Sequence, residues 1–338
     1  MKRWIAWLVI AGVLAGCGAA SSQPTAGPTR PASVAGAGAF ILGQQDDLWR
    51  FEAASKQLTR LTNFAPASAA SQPALAPDGS QIVYSYREPL PTPSPDQPFV
   101  VPRTALQLIP VGGGSGMPLH APLEGFDSLN QPAWAPDGKT IYAHYETLRF
   151  NADGVFTESG NDIVALTPGD QRVVELISNG MFPAPSPDGK WLAFVRTVDN
   201  APMLMLYDLA AKTEDVLLQD ANFSALEAPT WSADGTQIYL AVSPITLSQA
   251  PPAPLRWLSA ESASAHGLGW RIWRVDVAQK QGVEINKQVF EDPRIALTGD
   301  TLTLWTLSGL WQIDLRQPAS PPQLIHEPGD VGGIAPLP

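Results

Sequence analysis

The side chains best suited to chemistry in this 338-residue chain are four histidines, one cysteine and a set of regularly spaced aspartates. His120, His144, His266 and His326 show no His-x-His or His-x-x-x-His spacing. A metal hydrolase or lyase needs several ligands converging on one ion, and this spacing supplies none. The run Gly112-Gly-Gly-Ser-Gly116 invites a nucleophile-elbow reading. It fails, because Met117 stands where the second glycine of the elbow belongs. There is no dinucleotide or phosphate loop. The aspartates Asp78, Asp137, Asp188 and Asp234 each precede a glycine, at separations of 59, 51 and 46 residues. One carboxylate per turn, with no second acid at a fixed offset, is too few for a Ca²⁺ shell. These four are expected as turn formers, and neither a metal nor a cofactor is expected.

The elements around those aspartates explain their spacing. Each closes a copy of one phrase: Gln72-Pro-Ala-Leu-Ala-Pro-Asp-Gly79, Gln131-Pro-Ala-Trp-Ala-Pro-Asp-Gly138, Pro183-Ala-Pro-Ser-Pro-Asp-Gly189 and Pro229-Thr-Trp-Ser-Ala-Asp-Gly235. A short β-rich run follows each copy, as in Ile82-Val-Tyr84 and Ile238-Tyr-Leu240. Proline presets φ, aspartate bonds nearby N–H groups, and glycine takes the positive φ that closes a hairpin. A fainter repeat fills a third strand: Leu48–Ala53, Leu106–Val111, Ile163–Pro168, Leu204–Leu209, Ile272–Val277 and Leu310–Leu315. A polar turn and a fourth short strand come next. Repeats of this length, built of four short strands apolar on both faces, describe propeller blades.

With strands labelled A to D, the phrase is A and the run after it is B. Pro293–Trp305 is a worn fifth A–B copy, and Ala39–Leu42 is a B strand without an A. The segment from Val331 to Pro338 is the only piece left to complete that first blade. The expected fold is therefore all-β: a six-bladed β-propeller of four-stranded antiparallel blades, its ring closed by the C-terminal strand pairing with the N-terminal blade. The phrase resembles the Pro-x-Trp-Ser-Pro-Asp-Gly signature of TolB-like propellers over about residues 38–338. Leu75 and Pro185 depart from its tryptophan, and Ala233 from one proline. The resemblance implies a fold and little about a ligand.

Before the repeats lies an address. Lys2 and Arg3 open it, Trp4 to Val13 is apolar but short for a span, and Leu14-Ala-Gly-Cys17 follows. This resembles the bacterial lipobox, which implies a signal peptide over 1–16 and lipidation of Cys17, the chain's one cysteine. Residues 17–37 then read as the lipidated cysteine and a disordered Ala/Gly/Ser/Pro/Thr tether. The expected location is the cell envelope, with the propeller outside the cytoplasm and held to the membrane by lipid on Cys17. Without Lys2 and Arg3, 19 basic residues face 32 acidic ones, a net charge of −13. Such a surface repels nucleic acid and anionic headgroups.

In a propeller the A–B and C–D turns share one rim, and the B–C and D–A loops share the other. Three length insertions fall at B–C positions: Arg87 to Arg103, Thr147 to Asn161 and Ser243 to Gly269. They make that rim the candidate binding face, with Arg87, Phe99, Arg103, Arg149, Phe150, Arg256 and Trp257 as candidate anchors; tolerated loop length is the bland alternative. Phe64, Phe126, Phe182, Phe223 and Phe290 sit at D–A positions, where they either ring the channel mouth or, more commonly, wedge between blades. The sequence therefore reads as a non-catalytic scaffold for an envelope protein, peptide or glycan. The alternative is a carbohydrate- or peptide-active envelope enzyme, metal-assisted or not, working in the channel.

Overall fold

A computed structural model describes residues 38–89, 103–121, 123, 125–151, 153–244, 269–330 and 332–338. Cys17, Phe99, Arg256, Trp257 and His266 lie outside the described residues. Among the described residues, twenty-five strands form six antiparallel sheets. Blade 1 holds β1 (Ala39–Gln44), β2 (Asp47–Glu52) and β3 (Gln57–Arg60). Blade 2 runs β4 (Ala69–Leu75), β5 (Gln81–Arg87), β6 (Thr104–Pro110), β7 (Met117–Pro118). Blade 3 runs β8 (Ser128–Trp134), β9 (Ile141–Phe150), β10 (Phe156–Thr167), β11 (Asp170–Ser178). Blade 4 runs β12 (Met181–Pro185), β13 (Trp191–Val198), β14 (Ala201–Asp208), β15 (Thr213–Gln219).

Blade 5 runs β16 (Phe223–Trp231), β17 (Gln237–Pro244), β18 (Gly269–Asp276) and β19 (Gln281–Glu284), extended by β20 (Phe290–Glu291) along β18. Blade 6 runs β21 (Arg294–Thr298), β22 (Thr301–Thr306), β23 (Gly309–Asp314), β24 (Gln323–His326). The last strand, β25 (Ile334–Leu337), lies antiparallel to β1 with Leu42 opposite Ile334 and Ala39 opposite Leu337. The C-terminal strand thus supplies the inner strand of blade 1 and closes the ring, leaving no open edge there.

The apolar side chains divide into six clusters, and each cluster fills the interface between two adjacent blades. Alternation along a strand explains the division. Ile82 and Tyr84 of β5 face blade 1, while Val83 between them faces blade 3. Both faces of a blade must be apolar because each has a neighbour. The cluster uniting Phe40, Leu42 and Phe51 with Trp305, Leu310 and Ile325 seals blade 1 against blade 6.

Two elements differ from the sequence expectation. The stretch from Thr147 to Asn161 is not a loop: β9 and β10 continue as a paired hairpin with a turn at 151–155. The A strands also carry a bulge that the phrase conceals. In β4 the pairing passes from Ser71–Ser85 to Ala74–Val83, so Gln72 and Pro73 together oppose one residue. Gln131-Pro132, Phe182-Pro183 and Ala228-Pro229 repeat the device. Proline has no N–H to offer a ladder, and a bulge is where a strand tolerates that loss. The residue before each proline is left-handed, with φ between 51° and 55°.

Candidate functional site

The Pro-Asp-Gly turns are built as turn chemistry requires. Asp78 Oδ1 accepts the Ser80 N–H at 2.9 Å and its hydroxyl at 2.6 Å, and Asp234 Oδ1 accepts the Ser232 hydroxyl at 2.6 Å and the Thr236 N–H at 3.1 Å. Asp188 takes the Ser186 hydroxyl at 2.7 Å and Asp137 the Lys139 N–H at 2.8 Å. Hydroxyl donors to the carboxylate hold Asp78 and Asp234 below the usual range and Asp188 down to about 2. For Asp137 slight burial pushes upward, and the N–H groups of Lys139 and Thr140 outweigh it. The glycines follow at φ of 65° to 72°. All four carboxylates are spent on their own turns.

Two of the histidines, His120 and His144, are equally committed, while His326 Nε2 is buried without a hydrogen-bond partner among the described residues. His120 Nε2 accepts the Leu106 N–H at 3.0 Å, and its Nδ1–H donates to Ala121 O at 2.6 Å. Thr62 plays the same part in blade 1, where its hydroxyl oxygen accepts the Leu48 N–H at 2.9 Å. His120 therefore ends a ladder where the short D strand runs out. His144 Nε2–H donates to Asn161 Oδ1 at 2.9 Å inside blade 3. Burial depresses the pKa of both rings. Among the described residues no group of three or more His, Cys, Asp or Glu gathers to hold a metal ion, and no helix is long and apolar enough to cross a membrane.

The candidate anchors that are described stand at the B–C ends of their strands. Arg87, closing β5, pairs with Asp46 at 3.1 Å in the neighbouring blade's turn. Arg103, just before β6, pairs with Glu88 at 3.1 Å and donates to Gly125 O at 2.9 Å. Arg149 pairs with Asp127, a buried carboxylate that also accepts the Tyr145 hydroxyl. That ion pair raises the arginine's already high pKa. Phe150 meets Phe126 and Phe156 edge-on at 5.0 and 5.9 Å, leaving Val155 and Phe156 exposed at the hairpin end (58% and 36%). The rim thus combines fixed guanidinium groups with an apolar hairpin tip.

The D–A phenylalanines divide. Phe223 and Phe290 are buried against Trp273 and Trp311, and Phe64 packs on Tyr84 and Tyr86. Phe182 alone of the five lines the channel among the described residues. The channel has two unequal parts separated by a waist at Pro73, Pro132, Pro183 and Pro229. A funnel of about 830 Å³ opens on the Pro-Asp-Gly rim, walled by alanine, proline, leucine and tryptophan. On the other side lies a chamber of about 150 Å³ lined by Gln72, Gln131, Phe182, Ala228, Arg294 and Gly333, among others. Gln72, Gln131 and Arg294 were not legible as site residues. The one available signal was proline at a fixed offset inside a strand, which demands a bulge and so an outlying residue before it.

Solved structures share this architecture. A protein described as TolB from Agrobacterium tumefaciens matches with a TM-score of 0.52 at 18% identity, over 73% of this chain and 76% of that one. TolB from Acinetobacter baumannii gives 0.55 at 17% identity, over 89% of this chain and 66% of its own length. A chain of the nidogen–laminin complex gives 0.61 at 13% identity, over 88% and 98%. No protein-family model and no curated protein matches the sequence. The fold is a TolB-like six-bladed propeller.

Proposed function

We propose that this chain is a lipid-anchored, non-catalytic scaffold that holds a protein, peptide or glycan partner at the cell envelope on its B–C rim. The observation that carries the reading is the confinement of all three length insertions to that rim. One of them, the β9–β10 hairpin, continues past its neighbours: β8 pairs with β9 only as far as Glu146. Loops and hairpins raised on one side of a rigid ring are where binding residues collect. Rigid aromatic and arginine anchors suit such a face. The nidogen–laminin complex shows that a chain of this fold can take part in a protein–protein assembly. Anchorage rests on the lipobox-like Leu14–Cys17 sequence.

Two experiments test the reading. Metabolic labelling with a palmitate analogue is expected to tag the wild type and not Cys17→Ala, which leaves the membrane fraction; labelling of the alanine variant sinks the anchor. Crosslinking in intact cells is then compared for the full chain, a Phe150→Ser/Phe156→Ser variant and a deletion of 245–268. A partner captured by the full chain and lost from either folded variant supports the rim. A partner retained by both moves the binding face elsewhere.

A further inference from the structure

The first bulge residue of the A strand in blades 2 to 5 lines one chamber of the channel: Gln72, Gln131, Phe182 and Ala228. Gly333 and Asp292, which precede the unbulged A strands of blades 1 and 6, share their positive φ. The two glutamines are wired in series. Gln72 Oε1 accepts the Gln131 N–H at 2.8 Å and the Ser85 hydroxyl at 2.8 Å, and Gln131 Oε1 accepts the Phe182 N–H at 2.9 Å. A backbone N–H can only donate, so the oxygen of each amide is fixed in place. Both amide NH₂ groups are left without a protein partner among the described residues, and both side chains line the chamber.

Arg294 of blade 6 lines the same chamber. Its Nη1 is held by Glu227 of blade 5, while its Nε is buried and without a partner. Asp292 is buried, does not line the chamber, and accepts the Trp270 indole N–H at 3.2 Å. The wall is therefore divided. Blades 6, 2 and 3 present Arg294, Gln72 and Gln131, with Gly333 and Ile334 between them at blade 1. Blades 4 and 5 present Phe182, Ala228 and Thr230. Fixed amide and guanidinium groups set among apolar side chains select a ligand that is part polar and part apolar.

We propose that this chamber binds a carboxylate carried on a small apolar group. A carboxylate is acceptor-only and meets several donors at once, whereas a hydroxyl would need an acceptor that this side of the wall does not offer. Guanidinium groups favour carboxylate geometry. The volume, about 150 Å³, suits a group of benzene size. Two sources share this chemistry, a free aromatic acid and the C-terminus of a peptide ending in an apolar residue. The site lies inside the channel on the B–C side, and it stands whether or not the rim's insertions hold a partner.

The test is calorimetric titration of the full chain at pH 7 with benzoate, benzyl alcohol, and acetyl-Ala-Phe with a free or an amidated C-terminus. At least one of the two carboxylates is expected to saturate, and its neutral counterpart to bind tenfold or more weakly. Which carboxylate binds identifies the source. Gln72→Glu and Gln131→Glu keep the oxygen that accepts the next blade's N–H and turn the donor into a negative acceptor. Each is expected to lower affinity at least tenfold with the melting temperature kept. Ala228→Asp lies outside the glutamine series, tolerates positive φ and places a carboxylate on the apolar wall, with the same expected loss. The proposal is overturned if neither carboxylate saturates by roughly 10 mM, if neutral analogues bind as well, or if folded Gln131→Glu and Ala228→Asp bind like the wild type.

Discussion

Adding one methyl group at Gly43 tests how the ring is closed. Gly43 lies in β1 beside β25, where a Cβ would sit 2.1 Å from Gly332 O and 2.6 Å from its carbonyl carbon. Both contacts are to backbone, so no side chain can swing aside, and the two strands must part. Parting them breaks the Gly43 N–H bond to Gly333 O (2.9 Å) and disturbs the Trp305 indole bond to Gly43 O (3.2 Å). Each bond is worth about 1 kcal/mol net, and overpacking adds roughly 1 to 3 kcal/mol. Against that, alanine is better than glycine inside a strand by roughly 0.5 to 1 kcal/mol. The balance is a loss of roughly 2 to 4 kcal/mol. For a propeller of this size, where unfolding entropy scales with residue number, that lowers the melting temperature by roughly 3 to 6 °C. Gly112→Ala is the control, since a Cβ there meets nothing within 4 Å. Thermal melts of Gly43→Ala, Gly112→Ala and the wild type decide the matter. If Gly43→Ala melts with the control, β1 and β25 do not lie together as described, and the closure is wrong.

Two further predictions follow from single contacts. Trp231 and Trp134 occupy the same position of the phrase, yet the Trp231 indole N–H bonds Ala184 O at 2.8 Å and that of Trp134 is buried with no partner. Trp231→Phe is expected to cost roughly 1 to 3 kcal/mol, and Trp134→Phe markedly less, in urea unfolding; equal costs would refute the inter-blade bond. The buried, neutral His120 and His144 have folded pKa values depressed by burial from 6.5. Between the folded and unfolded values the unfolded chain holds more protons, so their contribution to stability is complete above pH 6.5 and is lost as pH falls below it. The urea midpoint should decline from pH 7.5 to 5.5. Glu146, raised from 4.5 by burial, gains stability as pH falls and opposes this loss; in a Glu146→Gln background a flat profile over that range contradicts the burial, since the turn aspartates, lowered from 3.8, titrate only in stronger acid.

The blades were legible because their determinants are local. A Pro-Asp-Gly turn needs only its own residues and one or two hydroxyls nearby, as Asp78 with Ser80 shows. Strand alternation needs only the two faces of one blade. Ring closure was legible by elimination, since one inner strand was missing and one segment was unspent. The channel was not, because its geometry depends on residues 51 to 59 positions apart: Gln72 meets Gln131, and Gln131 meets Phe182. Nothing near Gln131 in the chain announces that its amide oxygen will be taken by another blade. The hairpin was misjudged for a related reason. The stretch Thr147 to Asn161 reads as inserted length, and mutual pairing, with Phe150 on Phe126 and Phe156, makes 147–150 and 156–161 strand.

Repetition and its failure carry different information in this chain. Where the blades agree, at the A–B turn glycines of blades 2 to 6 and at the interface side chains, a residue answers a shared structural demand, and agreement there concerns folding. Where one position varies among blades, the fold has made no common demand. The bulge position is such a place: positive φ is shared, and side-chain chemistry is not. Left-handed backbone before proline is uncomfortable for glutamine, phenylalanine and alanine alike, and glycine would relieve it at any of the five blades that lack it. The side chains present at Gln72, Gln131 and Phe182 therefore act against local backbone preference. The two glutamines offset that strain partly through their bonds to the next blade, but Phe182 makes no such bond. Its ring lines the chamber beside the glutamine series. A strained residue whose visible product is the shape and polarity of a cavity is most economically explained by what the cavity holds.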